Sequence, residues 1–146
     1  MPKDSAKVLK EWIIEYIKNK DIFTRSIKNI KQSNNEIIVE HTNKVHIFIV
    51  VPFIDKIESI IQKIGASSEF ISLVIFNSKD NLNTVIKNWE KLSKNPKFSV
   101  YFVNPFSNLE KKWIIFPSTH SLISSGPSLK KGLLALFSTV EEVKKD

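Results

Sequence analysis

Apolar residues near the start of the chain recur at the spacing of an amphipathic helix. The predicted apolar face carries Val8, Trp12, Ile13, Tyr16 and Ile17. Asp4 or Ser5 can cap the first turn, and lysines occupy most of the opposite face. The pattern predicts a first helix that ends near Lys20–Asp21.

Three extended stretches follow this helix and together predict an antiparallel meander. The predicted strands cover residues 22–30, 36–41 and 45–51. A polar run separates the first two strands, and a tight turn at Thr42-Asn43-Lys44 separates the second from the third. The third stretch is almost wholly apolar, which is typical of a central strand covered on both faces.

The middle of the chain predicts a strand-helix-strand unit. Isoleucines in residues 57–64 share one helical face and precede Gly65, a residue type that commonly ends helices. A continuous apolar run at 70–76 then predicts a fourth strand. Because a helix joins the third and fourth strands, we expect them to be parallel, with a right-handed crossover.

The last part of the chain predicts two helices and two further strands. Ser78 can cap a helix, residues 98–103 and 113–116 are expected to be strands, and Gly126-Pro127-Ser128 is typical of a helix start. The apolar stripe of the final helix consists of Leu129, Leu133, Leu136, Phe137 and Val140. We therefore predict one α/β domain over residues 1–146, a mixed sheet with an αβββαβ core and a C-terminal αββα extension.

Composition adds a basic charge to this picture. The formal net charge is +7, which suits a polyanionic partner, although a lysine-rich solvated surface would give the same balance. There is no cysteine, so disulfides, zinc–thiolate sites and cysteine nucleophiles are excluded. The first twenty residues do not have the form of a signal peptide, and no apolar run is long enough for a membrane span. We expect a cytoplasmic protein with no membrane partner.

Familiar cofactor motifs are missing from the sequence. The three glycines do not form a dinucleotide-binding or P-loop pattern, so no nucleotide cofactor is expected. The three histidines, His41, His46 and His120, lack metal-ligand spacing and are interpreted as structural. We predict no metal site and no cofactor.

The order helix, three-strand meander, helix, strand resembles the core of restriction-endonuclease-like, PD-(D/E)xK nucleases. Residues 8–76 are most similar in order and spacing to archaeal Holliday-junction resolvases. In that family an acidic residue opens the second strand and a Glu-x-Lys ends the third. The resemblance implies that these carboxylates would hold Mg²⁺ and that the lysine would help to activate water.

The catalytic positions of that family are only partly filled in this chain. Glu36 opens the second strand and matches the metal-binding acid, but the Glu-x-Lys falls on Val50-Val51-Pro52. Valine cannot bind a hard cation and proline has no amine, so the chain is expected to be inactive. The alternative is a rearranged metal site around Glu36, Glu40 and Asp55. The side chain of Lys56 would then be close to it.

Several basic residues are candidates for nucleic-acid contacts. Arg25, the single arginine, is expected on the first strand near Lys28 and Lys31. Its guanidinium suits phosphate better than a lysine does. Lys130 and Lys131 begin the last helix, where free backbone amides also favour an anion. Each of these residues can equally be part of a solvated surface.

Two functional hypotheses follow, with the rearranged nuclease as a third. The first is a non-catalytic, nuclease-like module that binds nucleic acid through a basic face. The second is a protein-interaction or structural subunit that reuses the fold. Because the resolvases that the chain resembles act as dimers, we also expect a homodimer. The apolar stripe 129–140 is typical of core packing and could also supply the dimer contact.

Overall fold

The computed structural model describes residues 4–144, which form a six-stranded mixed sheet with helices on both faces. The helices are α1 (Ser5–Thr24), α2 (Ile57–Ala66), α3 (Lys79–Lys87), α4 (Trp89–Leu92), α5 (Pro117–His120) and α6 (Gly126–Phe137). The strands are β1 (Ile27–Gln32), β2 (Glu36–His41), β3 (Val45–Val50), β4 (Phe70–Phe76), β5 (Phe98–Val103) and β6 (Lys112–Ile115). No helix in this part of the chain is long and apolar enough to cross a membrane.

The strands lie side by side in the order of the sequence. The pairs β1–β2 and β2–β3 are antiparallel, β3–β4 and β4–β5 are parallel, and β5–β6 is antiparallel. The predicted meander and parallel crossover are therefore confirmed. Strands β1, β3, β4 and β5 all begin at one edge of the sheet, which we call the amino edge, and end at the opposite, carboxyl edge.

Each face of the sheet packs into its own apolar core. Helix α1 covers one face, the α1 face, with Leu9, Ile13 and Ile17. Helices α2, α3, α4 and α6 cover the other, the α2 face. Alternation along β3 separates the two cores, because Phe48 belongs to the first and Ile49 to the second. Strands β3, β4 and β5 are thus covered on both sides, as their continuous apolar sequences predict.

The first helix is longer than its apolar period suggests, and the strand predicted at 22–30 begins only at Ile27 and ends at Gln32. Helix α1 continues to Thr24 and ends in a left-handed residue, Arg25, whose backbone N–H donates to the carbonyl of Asp21. The Asp21 side chain accepts hydrogen bonds from Thr24 and Ser26 and so fixes this ending. Arg25 consequently lies at the helix terminus and not on β1.

The C-terminal extension also differs from the predicted αββα order. Two short helices, α4 and α5, are added, and β6 begins one residue earlier than expected. The stripe of α6 is core: Leu129, Leu133, Phe137 and Val140 are buried on the α2 face, and Leu136 packs against them. The predicted dimer contact through these side chains is therefore wrong, because they are already covered by the rest of the same chain.

A truncation in this stripe tests the assignment to the core. Leu133 has no exposed surface, so Leu133→Ala should lower the free energy of unfolding by about 2–5 kcal/mol. Leu122→Ala, at an exposed leucine, is the matched control and should change it by less than about 0.5 kcal/mol. Urea denaturation measures both values, and equal effects of the two substitutions would contradict the packing of α6.

Candidate ligand-binding pocket and basic corner

The residues at the nuclease-like position do not form a metal site. In the β2–β3 ladder Glu36 lies opposite Ile49, and side-chain alternation places Val51 on the same face while Val50 turns towards α1. Ile49 and Val51, the two residues of this segment on the same face as Glu36, are both apolar.

The carboxylates proposed for a rearranged site are separated or already paired. Glu36 forms an ion pair with Lys63 of α2, and Glu40 forms one of 3.0 Å with Lys31. Asp55 is exposed in the loop before α2, together with the neighbouring Lys56. Within residues 4–144 no three histidine or acidic side chains are placed to hold a metal ion.

The carboxyl edge of the parallel strands, where open α/β sheets commonly bind ligands, is filled by the chain itself. Asn77 follows β4 and donates to the carbonyls of Phe137 and Val140, while its side-chain oxygen accepts from Trp113. Asn104 follows β5 and donates to the carbonyl of Glu141. The segment after α6 therefore takes the place that a ligand could have used.

A pocket of about 410 Å³ opens at the amino edge instead, beneath the last turns of α1. Its walls come from α1, from the starts of β1 and β3, from the β2–β3 turn and from β5. It is lined by Tyr16, Ile17, Lys20, Asp21, Thr24, Ser26, Ile27, His41, Asn43, Lys44, His46, Phe48 and Tyr101. The pocket and Glu36 lie on opposite faces and at opposite edges of the sheet.

A chain of hydrogen bonds crosses three strands beside the floor of the pocket. His46 Nε2 lies 2.7 Å from Ser72 Oγ, which lies 2.6 Å from Ser99 Oγ. Both serines are buried in an otherwise apolar sheet, where an unpaired hydroxyl would be costly. Burial, helped by the nearby positive charge of Lys44, lowers the pKa of His46 to about 3. The imidazole is therefore neutral at physiological pH.

Tyr101 closes the inner end of the pocket. Its side chain is only 5% exposed and lines the pocket. Burial, with a smaller contribution from Tyr16, raises the pKa of Tyr101 above its usual range. The hydroxyl thus remains a neutral donor and acceptor.

The end of α1 builds the side of the pocket nearest to solvent. The Asp21 carboxylate accepts from the backbone amides of Ser26 and Ile27 and from the hydroxyls of Thr24 and Ser26. Although desolvation opposes it, these hydrogen bonds lower the pKa of Asp21. Ser26 also lies 2.8 Å from Nδ1 of His41, whose pKa is lowered by burial and by Lys44.

Two lysines line the pocket, and further cations and one exposed aromatic ring belong to neighbouring positions. Lys20 and Lys44 line it, and the ammonium groups of Lys44 and Lys97 lie 5.0 and 5.2 Å from the ring centre of Phe70. Phe23 and Arg25 flank the lining residue Thr24 and are exposed. We call Lys20, Phe23, Arg25, Lys44 and Lys97 the basic corner.

The five predicted nucleic-acid contacts do not form one surface. Lys28 and Lys31 extend from β1 near Arg25, but Lys31 is paired with Glu40, and Lys28 lies close enough to help lower the pKa of that carboxyl. Helix α6, which carries Lys130 and Lys131, packs on the α2 face, whereas Arg25 ends the helix that covers the other face.

Sequence reasoning missed most of the pocket. The missed residues are Tyr16, Lys20, Asp21, Lys44, Ser72, Ser99 and Tyr101. The available signal was a serine inside each of two continuous apolar strands, at the third residue of β4 and the second of β5. Polar residues at such positions are buried and require a partner. His41 and His46 were noted, but only as structural residues.

Comparison of the chain with protein-family models, with curated proteins and with solved structures finds no match. The function must therefore be argued from the geometry of the site.

The surroundings of Glu36 lead to a prediction about catalysis. Because Val50-Val51-Pro52 occupies the expected position of the Glu-x-Lys and Glu36 faces the apolar Ile49, we expect no cleavage of junction, duplex or single-stranded substrates with Mg²⁺ or Mn²⁺. Gel assays of purified protein test this expectation. Cleavage that is lost on Glu36→Ala would show that the chain has a working metal site.

The state of His46 leads to a second prediction. Its imidazole titrates near pH 3 in the fold, whereas the ordinary value is 6.5. As pH falls below 6.5 the unfolded chain gains a proton that the folded chain does not, so stability is lost between about pH 6.5 and 3. Histidine NMR spectra should show a neutral His46 ring at pH 5, and His46→Gln should flatten the pH dependence by up to about 1.4 kcal/mol per pH unit. Titration of this ring near pH 6.5 would contradict the prediction.

Proposed function

We propose that the protein is a non-catalytic module that binds nucleic acid, preferably single-stranded, through the basic corner. Arg25 supplies a guanidinium fork for phosphate, the three lysines add charge, and Phe23 offers a flat apolar surface on which a base can stack. The sequence predicted a basic face, and the proposal restricts the binding surface to one end of the sheet. Lys28 extends the same surface along β1.

The conformation of Arg25 is the observation that carries this proposal. Its φ of 47° is the only positive value at a non-glycine position among residues 4–144. A side chain in the left-handed region costs about 1 kcal/mol, and glycine is the usual residue at such a helix ending. An exposed arginine at this strained position is consistent with a side chain that serves binding and not the stability of the fold.

Phe23 supports the proposal independently. Its side chain is 95% exposed, two residues before Arg25 and next to a pocket-lining turn. An exposed aromatic ring among cations is the arrangement that non-specific single-strand binders use, and stacking contributes about 1–3 kcal/mol per base. Burial of this ring against a base would remove its apolar surface from water.

The arrangement of the first six elements supports a relation to nucleases. A helix, an antiparallel three-strand meander, a helix and a parallel strand follow one another as in the PD-(D/E)xK core that the sequence resembles. We propose that the chain keeps this framework without its metal chemistry. A cytoplasmic location, where nucleic acid is accessible, belongs to the same proposal.

A second candidate function is protein interaction, which a different surface favours. Phe116, Leu122 and Ile123 lie just before and just after α5 and are all strongly exposed. They are remote in the sequence from the basic corner and are not required for the nucleic-acid proposal. A chain that retards no nucleic acid at low salt would leave this interaction role as the better explanation.

Replacement of Arg25 tests the nucleic-acid proposal. Arg25→Gly should weaken binding to single-stranded DNA or RNA and should reduce the salt dependence of log affinity by about 0.7. The same change should raise the free energy of unfolding by up to about 1 kcal/mol, because glycine adopts positive φ without strain. Fluorescence anisotropy between 50 and 200 mM salt and urea denaturation measure the two effects. With three to five phosphate contacts, the unmodified protein should itself lose roughly ten- to a hundredfold in affinity over this range.

Control substitutions distinguish binding at the basic corner from binding through positive charge elsewhere on the surface. The double substitution Lys87→Ala and Lys91→Ala removes two cations from exposed positions on α3 and α4, on the other face of the sheet, and should leave binding nearly unchanged. Phe23→Ser should weaken binding without changing its salt dependence. If the lysine pair and Arg25 have equal effects, binding is not located at the basic corner.

A further inference from the structure

We infer that the pocket under α1 receives one unstacked nucleotide, with its base inside and its phosphate at the mouth. This inference rests on the proposed function and gives it a specific site. The observations are a cavity of suitable size, the neutral polar groups of His46 and Tyr101 among its lining residues, and two lining lysines. No metal chemistry is involved, because the pocket lies away from Glu36.

The shape and walls of the pocket suit a flat ring. Its volume of about 410 Å³ falls within the range of pockets that hold small organic ligands. Tyr16 and Phe48 supply aromatic surface, while Ile17 and Ile27 supply aliphatic surface. Tyr16 and Phe48 each meet the ring of Tyr101 edge-on, which holds that side chain in place. A planar base can therefore be covered by apolar groups.

The polar atoms in the pocket suit the edge of a base better than a charged group. Nε2 of His46 lies 2.7 Å from Ser72 Oγ, and this contact orients the ring beside the pocket. Tyr101 adds a hydroxyl group to the lining. Both groups are neutral at physiological pH. A nucleobase edge offers the matching neutral donors and acceptors.

The mouth of the pocket suits a phosphate. The ammonium groups of Lys20 and Lys44 come from two sides of the opening. Asp21 is the one acid among the lining residues, and its carboxylate is occupied by four hydrogen bonds from its own loop. From this phosphate a strand could continue over Arg25 and Phe23, because both adjoin Thr24 at the rim.

Nucleoside 5′-monophosphates are the probes for this site. Isothermal titration and NMR with the intact chain should show binding that is tighter for the monophosphate than for the nucleoside or for inorganic phosphate alone. Shifts should concentrate on His46, Tyr101 and Lys44. Equal affinity for inorganic phosphate would show that the pocket binds only an anion and would overturn the inference. NMR shifts confined to other regions of the chain would overturn it as well.

Two substitutions locate the base and the phosphate. Tyr101→Phe removes only the hydroxyl and should weaken the monophosphate roughly two- to tenfold, the equivalent of one net hydrogen bond, with little change in the denaturation midpoint. Lys44→Ala should weaken the monophosphate but not the nucleoside. The matched control Lys87→Ala should change neither. An unaltered affinity in Tyr101→Phe would overturn the placement of the base.

The outcomes for oligonucleotides and monophosphates separate the two proposals. Retained oligonucleotide binding with no monophosphate binding would overturn the pocket inference and leave the basic corner as the binding surface. Loss of both would overturn both. Monophosphate binding that competes with a single-stranded oligonucleotide, and that Tyr101→Phe weakens, would support the inference.

Discussion

Burial of three neighbouring parallel strands on both faces is the constraint on which the rest of the structure depends. Strands β3, β4 and β5 lie between the two apolar cores, so water cannot satisfy polar groups along them. At the carboxyl edge Asn77 and Asn104 solve this problem with carbonyls of the segment after α6. At the amino edge the His46, Ser72 and Ser99 chain solves it with side chains alone, and a pocket lies beside it. The chain itself fills the carboxyl edge, whereas the amino edge keeps a cavity.

Much of the fold could be predicted because continuous apolar runs in the sequence indicate buried segments directly. The bounds of β2, β4 and β5 agree with their continuous or alternating sequences, and Ser78 caps α3 as expected. The errors in the predicted element bounds occur where a side-chain hydrogen bond, and not the apolar period, decides where an element ends. Asp21 decides how α1 ends, and a hydrogen-bonding role of this kind leaves no periodic signal. The stripe on α6 shows a second difficulty, since a pattern indicates that a face is covered but not whether the same chain or a second copy covers it.

The candidate site was much harder to predict, because its residues come together only through strand register. Ser72 and Ser99 are 27 positions apart in the sequence, and they become neighbours because β4 and β5 pair in parallel. Arg25 was identified from its chemistry, yet its importance here comes from its backbone conformation, which the sequence does not show. Pairing of Glu36 with Ile49 could be known only once the hairpin was seen.

The closure of the carboxyl edge by Asn77 has a consequence for synthesis on the ribosome. The carbonyls that this amide binds belong to residues translated 60 to 64 positions later. Until that segment has been made, the Asn77 side chain at the end of β4 lacks the carbonyls to which it donates. Trp113, which donates to its side-chain oxygen, has also not yet been synthesised. A nascent chain that already contains β1 to β4 is therefore an incomplete folding unit with apolar strand surface still uncovered. Full closure must wait until the segment after α6 has been made, and chaperones would have an opportunity to act on this protein before then.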